Sequence, residues 1–292
     1  MTEKIYSVLE ILRLTTDHFI KKNISEPRLN AEMLLCHILK CDRMKLYLDF
    51  DKPLQSSELN EYRELIKRRQ TDEPLQYITG VAPFYRSEFI VNKSVLIPRA
   101  ETEILVEEFL KDILTGTELY NIYEIGSGSG CIAVSVAKEL KLAGKNFTLT
   151  SIDISDDAIQ VAKENQMKIL GEEIVTFEKK DIFLLEQLDG KYQYIISNPP
   201  YISKNEFMQL DKVVKDHEPS IALTDDNDGL QFYKKIIEIS AKNDHEVKRK
   251  IYFEIAYNAK EKLEKLLSDE NISDYKFIKD HSGNYRVLIV KL

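Results

Sequence analysis

Through the first quarter of the chain, apolar residues return every three or four positions. Ile5, Val8, Leu9 and Leu12 form one such stripe, and Leu29, Met33, Leu34, Leu35, Ile38 and Leu39 form a second. Both predict amphipathic helices. Pro27 follows Ser25 and Glu26, in a first helical turn where a missing backbone N–H does no harm. A third helix is expected over 56–69. It opens with Ser56 as a cap and closes on Lys67, Arg68 and Arg69, cations that suit a helix C-terminus. Thr71-Asp72-Glu73-Pro74 reads as a turn, so residues 1–72 are expected to form an all-helical N-terminal domain.

The period then changes. Phe84-Tyr85 and Glu88-Phe89-Ile90-Val91, around an Arg86-Ser87 turn, predict a short hairpin within a linker over 73–99. From about residue 100 strands and helices alternate. Strands are expected at 119–125, 147–153, 174–180, 192–197, 250–255, 275–279 and 285–291, and helices at 131–140, 156–169, 229–242 and 259–267. That alternation argues for a parallel sheet covered on both faces. Only Asp280-His281-Ser282-Gly283-Asn284 joins the last two strands, too short for a parallel crossover, so these two are antiparallel. The expected fold is α/β. Residues 100–292 hold seven strands in a Rossmann-like sheet, five parallel plus a terminal antiparallel hairpin.

Composition narrows the class without naming a chemistry. The 292 residues are 43% hydrophobic, with 15 Tyr and 12 Phe, which excludes global disorder. No apolar run approaches the eighteen or so residues of a membrane span, and Glu3 and Glu10 break any signal-peptide pattern at the N-terminus. Cys36, Cys41 and Cys131 are an odd count at no metal-ligand spacing. They read as reduced thiols of a cytoplasmic protein, with no metal expected. Residues 1–72 carry 13 basic and 12 acidic side chains, or +1 of the net −8, which leaves −9 on the rest. An acidic catalytic part disfavours a broad grip on nucleic-acid phosphates.

Three signals carry the chemistry. Glu124-Ile125-Gly126-Ser127-Gly128-Ser129-Gly130 lies between a strand and a helix, where glycines let backbone approach a ligand beside a helix N-terminus. Alone the signal is weak, since Gly128 to Ala133 also satisfies a dinucleotide-binding pattern. Asp153 ends the next strand, where a carboxylate can accept both hydroxyls of a ribose and would repel a 2′-phosphate. Together they point to a nucleoside-type cofactor. The third signal is Asn198-Pro199-Pro200-Tyr201 at the end of the fourth parallel strand. Two prolines there remove two donors and leave rigid acceptor carbonyls, at the sheet edge where α/β proteins hold ligands.

On these residues the sequence resembles class I S-adenosylmethionine-dependent methyltransferases that methylate amino groups. Asn-Pro-Pro-Tyr is shared by enzymes acting on adenine N6 and on glutamine N5. Upstream, Glu73-Pro74-Leu75-Gln76-Tyr77-Ile78-Thr79-Gly80, Phe84-Tyr85 and Leu96-Ile97-Pro98-Arg99-Ala100-Glu101-Thr102-Glu103 are similar to the linker and cofactor lid of the HemK/PrmC family, the release factor glutamine methyltransferases. Glu218-Pro219 and Asp280 to Arg286 extend the likeness to the C-terminus. Ala100, Ile182 and Ala256 depart from the family's usual proline, aromatic and glycine.

The resemblance implies methylation of N5 of the glutamine in the Gly-Gly-Gln motif of peptide chain release factors. S-adenosyl-L-methionine would be consumed and S-adenosyl-L-homocysteine released, with no metal. Adenine-N6 methylation of nucleic acid is the alternative. The HemK/PrmC resemblance further implies a monomer with the helical domain docking the release factor, and no membrane or stable nucleic-acid partner. Asn198 oxygen and the Pro199 carbonyl would accept the two amide N–H groups, Pro200 would stiffen the turn, and Tyr201 would pack on the flat amide. Gly126, Ser127, Gly128, Ser129 and Gly130 would admit the methionine end, with Glu124 holding the loop or the cofactor's amino group. Asp153 would take the ribose, and Asp181 with Ile182 would edge the adenine. Arg99, Glu101 and Thr102 form a candidate lid, although Arg99 reads equally as a surface ion-pair residue. Cys131 reads as a packing residue, Cys36 and Cys41 as a core pair, His217 as a surface loop residue, and Lys67-Arg68-Arg69 as a solvated helix end.

Overall fold

The structure is a computed structural model that describes residues 6–116, 119–189, 191–242 and 247–292; Ile5 of the first predicted stripe lies outside them. Two compact units emerge, residues 1–81 with 211–217, and residues 82–210 with 218–292.

The first unit holds α1 (Val8–Lys21), α2 (Pro27–Leu39), α3 (Arg43–Leu48), α4 (Ser56–Arg69) and α5 (Leu75–Thr79). Ser7 and Glu10 form a reciprocal capping box on α1, with N···O distances of 2.9 and 3.3 Å. Pro27 occupies the first turn of α2 as expected. The cap of α4 differs from the prediction. Ser56 is already helical, and Gln55 precedes it with its N–H bound to Glu58 at 2.7 Å. Helix α3, which its six residues made illegible as a period, is fastened by a fully buried acid. Glu32 of α2 accepts from Arg28 (2.5 Å), Arg43 (2.6 Å) and the Tyr47 hydroxyl (2.8 Å). Burial opposes its charge, yet these donors win and hold its pKa below the usual carboxylate value.

The expected solvated helix end holds for Lys67 and Arg68, which are exposed, and is corrected for Arg69. Arg69 is buried, donating to Asn30 at 2.7 Å and the Glu73 carbonyl at 3.2 Å, and Arg68 forks onto the Glu73 carboxylate at 2.9 and 2.7 Å. A guanidinium can be buried when its fixed donors find carbonyls and a carboxylate in plane.

The second unit begins with a hairpin of β1 (Val81–Phe84) and β2 (Ser87–Ile90). Its turn is Tyr85-Arg86, not Arg86-Ser87. Both residues have positive φ, 39° and 60°, the twist that a two-residue hairpin demands. There follow α6 (Ala100–Ile113), β3 (Tyr120–Ile125), α7 (Cys131–Leu142), β4 (Phe147–Asp153), α8 (Asp156–Leu170), β5 (Val175–Lys179), β6 (Tyr194–Ser197) and α9 (Lys204–Phe207). Helix α10 (Lys212–Lys215) belongs with the first unit, and α11 (Gln231–Ala241), β7 (Lys250–Glu254), α12 (Lys260–Asp269), β8 (Tyr275–Lys279) and β9 (Tyr285–Lys291) complete the second.

Seven strands form one sheet in the order β5-β4-β3-β6-β7-β9-β8. The first five are parallel, and β9 is antiparallel to both β7 and β8. The terminal hairpin therefore inserts its second strand, and β9 alone runs against the rest. Tyr120 and Ile122 of β3 face one buried cluster with Phe109, Val134 and Tyr252; Tyr123 and Ile125 face the other with Ile195, Ile236 and Phe253. Apolar residues on both faces are what a doubly covered parallel sheet requires. The order steps outward from β3 on one side and β6 on the other, so a crevice opens between their carboxyl ends.

Candidate active site

A cavity of about 640 Å³ occupies that crevice, within the range of cofactor and substrate pockets. Its wall joins the Gly126–Gly130 turn, Asp153 at the end of β4, Asp181 and Ile182 after β5, and Asn198, Pro199 and Pro200 after β6.

The glycine turn is built for close approach. Gly126, Gly128 and Gly130 all have positive φ. A Cβ on Gly130 would meet Ala162 Cβ at 3.0 Å and Cα at 3.1 Å, so only glycine lets α8 pack against the start of α7. Asn165 of α8 braces the same turn. Its amide donates to the Ser129 carbonyl (2.9 Å) and exchanges hydrogen bonds with the backbone of Ile90 (2.6 and 2.9 Å). Sequence reading passed over Asn165, because only the tertiary fold brings position 165 to positions 90 and 129.

Asp153 is oriented from both sides. Oδ2 accepts the Gly128 N–H at 2.9 Å and Oδ1 the Ser155 N–H at 3.0 Å. Each carboxylate oxygen keeps acceptor capacity for a ligand hydroxyl. Asp181 accepts from Phe183 N–H at 2.9 Å, and Ile182 is buried at the cavity wall. Phe183 and Phe232 also line the cavity, edge to face with centroids 4.9 Å apart. An aromatic surface is therefore present one residue beyond the position where the sequence shows Ile182.

Two expected site residues stand behind the wall rather than on it. Glu124 is fully buried, and Ser151 donates to its Oε2; the Ser151 hydroxyl in turn lies 2.6 Å from that of Ser127. This chain supports the glycine turn from beneath, and burial pushes the Glu124 carboxyl up to about 8. Tyr201 packs among the cluster of Ile195, Tyr233 and Phe253, and its hydroxyl donates to Glu254 Oε1 at 3.2 Å. Burial raises the pKa of this phenol.

Asn198 lines the cavity, and its Nδ2 donates to Thr102 Oγ1 at 3.2 Å. With the NH₂ end engaged by α6, the Oδ1 end has no partner among the described residues and remains an acceptor. Thr102 is buried and lines the cavity, as does Arg99. Arg99 pairs with buried Glu218, which also accepts the Ile97 N–H at 3.1 Å. Glu101 faces away to Arg286, 3.7 Å distant. The segment from Ile97 to Arg99 is thus pinned by Glu218, whose role the sequence did not reveal. Cys131 also borders the cavity, and burial pushes its thiol up to about 12, which disfavours the thiolate. Cys36 and Cys41 are free thiols, and the described residues hold no metal-binding cluster. His217 sits in the first unit, 3.1 Å from the Thr71 carbonyl.

With this geometry established, comparison with known proteins is direct. A family model for the PrmC N-terminal domain matches residues 10–80, and one for a methyltransferase domain matches residues 117–275. The chain is 39% identical to the release factor glutamine methyltransferase of Fusobacterium nucleatum, over 97% of this chain and 78% of that protein. It is 38% identical to the Leptospira interrogans protein of the same name, over 97% and 98%. The chain belongs to the release factor glutamine methyltransferase family. Among solved structures, the human Mettl16 catalytic domain, in complex with the MAT2A 3′UTR hairpin 1, matches with a TM-score of 0.51 at 15% identity. That match covers 81% of this chain and 80% of that one, and it shows a shared methyltransferase fold. In this release factor glutamine methyltransferase the Asn-Pro-Pro corner forms part of the cavity wall. No described helix is long and apolar enough to cross a membrane.

Proposed function

We propose that this protein methylates N5 of the glutamine side chain in the Gly-Gly-Gln motif of peptide chain release factors, with S-adenosyl-L-methionine as methyl donor. The observation that carries the reading is Asn198. Its NH₂ is committed to Thr102, which leaves Oδ1 to accept from a ligand at the cavity wall.

The residues present fit the cofactor. Asp153 would take the ribose hydroxyls, the Gly126–Gly130 turn the methionine end, and Asp181, Ile182 and Phe183 the adenine side. When bound, S-adenosylmethionine supplies an electrophilic methyl group on a sulfonium. A glutamine amide nitrogen is a poor nucleophile because its lone pair is delocalised, so the protein has to orient it. Asn198 Oδ1 and the Pro199 carbonyl would accept its two N–H groups and strengthen as positive charge develops on nitrogen. Pro199 and Pro200 keep these acceptors rigid at no cost in reorganisation. No strong general base stands in the motif, so proximity and orientation carry much of the rate, and the proton leaves after methyl transfer.

Tyr201 acts from behind the wall, holding the motif's far end on Glu254. In the helical unit, Met44, Tyr47, Leu48 and Phe50 are all more than half exposed. Their apolar face on and beside α3 suits docking of a protein substrate. The setting is the cytoplasm, where release factors work.

The test is methyl transfer from labelled S-adenosylmethionine to a purified release factor, to the same factor with its loop glutamine changed to alanine, and to duplex DNA. Label on the unaltered factor alone is the expected result. Label on DNA would replace this reading with adenine-N6 methylation.

A further inference from the structure

A line of hydroxyls runs from the cavity wall into the core beneath the glycine turn. Ser127 lines the cavity, and its Oγ lies 2.6 Å from that of Ser151. Ser151 in turn donates to Oε2 of Glu124. Ser151 and Glu124 are wholly buried, and Ser127 is 3% exposed. No Lys or Arg among the described residues pairs with Glu124, and its other oxygen, Oε1, has no hydrogen-bond partner among them. The line therefore has two links, closed at Glu124 and open to the cavity at Ser127. The number of protons on it fixes what Ser127 offers. Ionised Glu124 leaves two protons for two links. Ser151 donates to Oε2, Ser127 donates to Ser151, and Ser127 shows the cavity only lone pairs. Neutral Glu124 brings a third proton, which sits on Oε2 because Oε1 has no acceptor beside it. Glu124 then donates to Ser151, Ser151 donates to Ser127, and the Ser127 proton turns into the cavity. The charge of Glu124 thus switches Ser127 between acceptor and donor.

We propose that Ser127, Ser151 and Glu124 read the α-ammonium group of the cofactor, and that its binding drives the proton off Glu124. The inference rests on the S-adenosylmethionine reading above, which puts the methionine end at the Gly126–Gly130 turn. That end carries an ammonium, which only donates, and a carboxylate, which only accepts. The ionised line presents an acceptor to the ammonium, and the ammonium is the counter-charge that the buried carboxylate lacks. A ligand carboxylate at Ser127 would instead hold the line neutral, against the negative charge of Asp153, which also acts on Glu124. The step balances along the line. Glu124 gives its proton to Ser151, Ser151 gives one to Ser127, and Ser127 gives one through the cavity to solvent.

The surroundings of Glu124 set the direction of the exchange. Burial pushes its carboxyl up to about 8, and Asp153 of β4 acts in the same direction. The Ser151 hydroxyl of β4 and the Ala133 backbone of α7 oppose them. The Cys131 thiol of α7 senses Glu124 and is itself raised, so it stays neutral and adds no charge. Near neutral pH Glu124 therefore keeps its proton until a cation stands at Ser127. Affinity for a ligand that bears the ammonium rises with pH through the ionisation of Glu124, and proton release on binding is the reciprocal of that rise.

The experiment is calorimetry of S-adenosylhomocysteine binding to the full chain at pH 7.5, in phosphate and in Tris. The two buffers differ in ionisation enthalpy, so the difference in heat counts the protons released. Wild type, Glu124→Gln and Ser127→Ala are compared, each also with the analogue whose α-amino group is replaced by hydrogen. A tenfold shift of the Glu124 proton equilibrium, the low end for a nearby opposite charge, amounts to about half a proton at this pH. Wild type should release about that much more than Glu124→Gln, a difference in which the ligand's own amine cancels. Ser127→Ala, which cuts the line, should match Glu124→Gln. The deaminated analogue should give the same count in all three chains. Equal counts in wild type and either variant would overturn the inference, as would a wild-type excess that persists with the deaminated analogue. If Glu124→Gln does not fold, Ser127→Ala against wild type decides by the same counts. A wild-type chain that binds no S-adenosylhomocysteine would instead overturn the cofactor reading, and the inference with it.

Discussion

Gly229 lies 28 residues after Tyr201, yet a Cβ placed on it would stand 2.3 Å from the Tyr201 carbonyl oxygen and 3.2 Å from its carbon. The φ of Gly229 is +85°, and its N–H is held by both oxygens of Asp225 at 3.0 and 2.9 Å, so the residue cannot swing aside. Gly229→Ala therefore meets two penalties. Left-handed backbone costs an L-residue about 1–2 kcal/mol. The collision adds more, because the atom in the way is main chain, and the carbonyl that has to move belongs to the Asn-Pro-Pro-Tyr corner. Gly144→Ala separates the two. Gly144 has φ +64° after α7, with nothing within 4 Å of its would-be Cβ, so it bears the backbone penalty alone. Thermal melting and methyl transfer are measured on both variants. Gly144→Ala should melt lower by the few degrees that about 1 kcal/mol is worth in a protein of this size, and keep its kcat. Gly229→Ala should melt lower still and lose kcat. Equal melting shifts and equal kcat would refute the claim that the Gly229 segment and the Asn-Pro-Pro-Tyr corner are packed against each other.

Asn198→Ala should abolish turnover while the Kd of S-adenosylhomocysteine, read by calorimetry, stays near wild type; a parallel loss of cofactor binding would make the corner structural. Asp153→Ala should weaken cofactor binding by roughly 1.5–3 kcal/mol, the worth of hydrogen bonds to a charged group, and an unchanged Kd would remove the ribose assignment. Glu124, raised to about 8 by burial, binds its proton more tightly folded than unfolded. Its contribution is fully present below the unfolded carboxylate pKa and is lost as pH rises through about 8. Glu124→Gln cannot ionise, so its melting temperature relative to wild type should climb between pH 5 and 8.5. A difference that stays flat over that range would show that Glu124 is ionised throughout.

Periodicity in the sequence determined most of the elements, because a strand buried on both faces and an amphipathic helix each leave a repeat that local sterics impose. β4, β8 and β9 have the predicted bounds to the residue. Short elements escaped, since α3 with six residues and α5 with five cannot show a 3.6-residue period. The hairpin turn was shifted by one residue because Tyr85 and Arg86, neither a customary turn residue, take positive φ when the strands on either side demand it. The cavity-lining part of the candidate site was also legible, because a glycine turn, a strand-end acid and a double proline are demands on backbone, and backbone demands are written in residue type. What only the tertiary structure decided is which side chains stand behind that wall. Glu218 reaches 119 residues back to Arg99, Asn165 spans from Ile90 to Ser129, and Glu254 meets Tyr201 across 53 residues. Tyr201 stands behind the wall for the same reason, and Glu124 lies where it can hold the loop, one of the two roles expected of it. Partners so far apart in the chain leave no spacing to read, and their roles come from where the parallel strands end side by side.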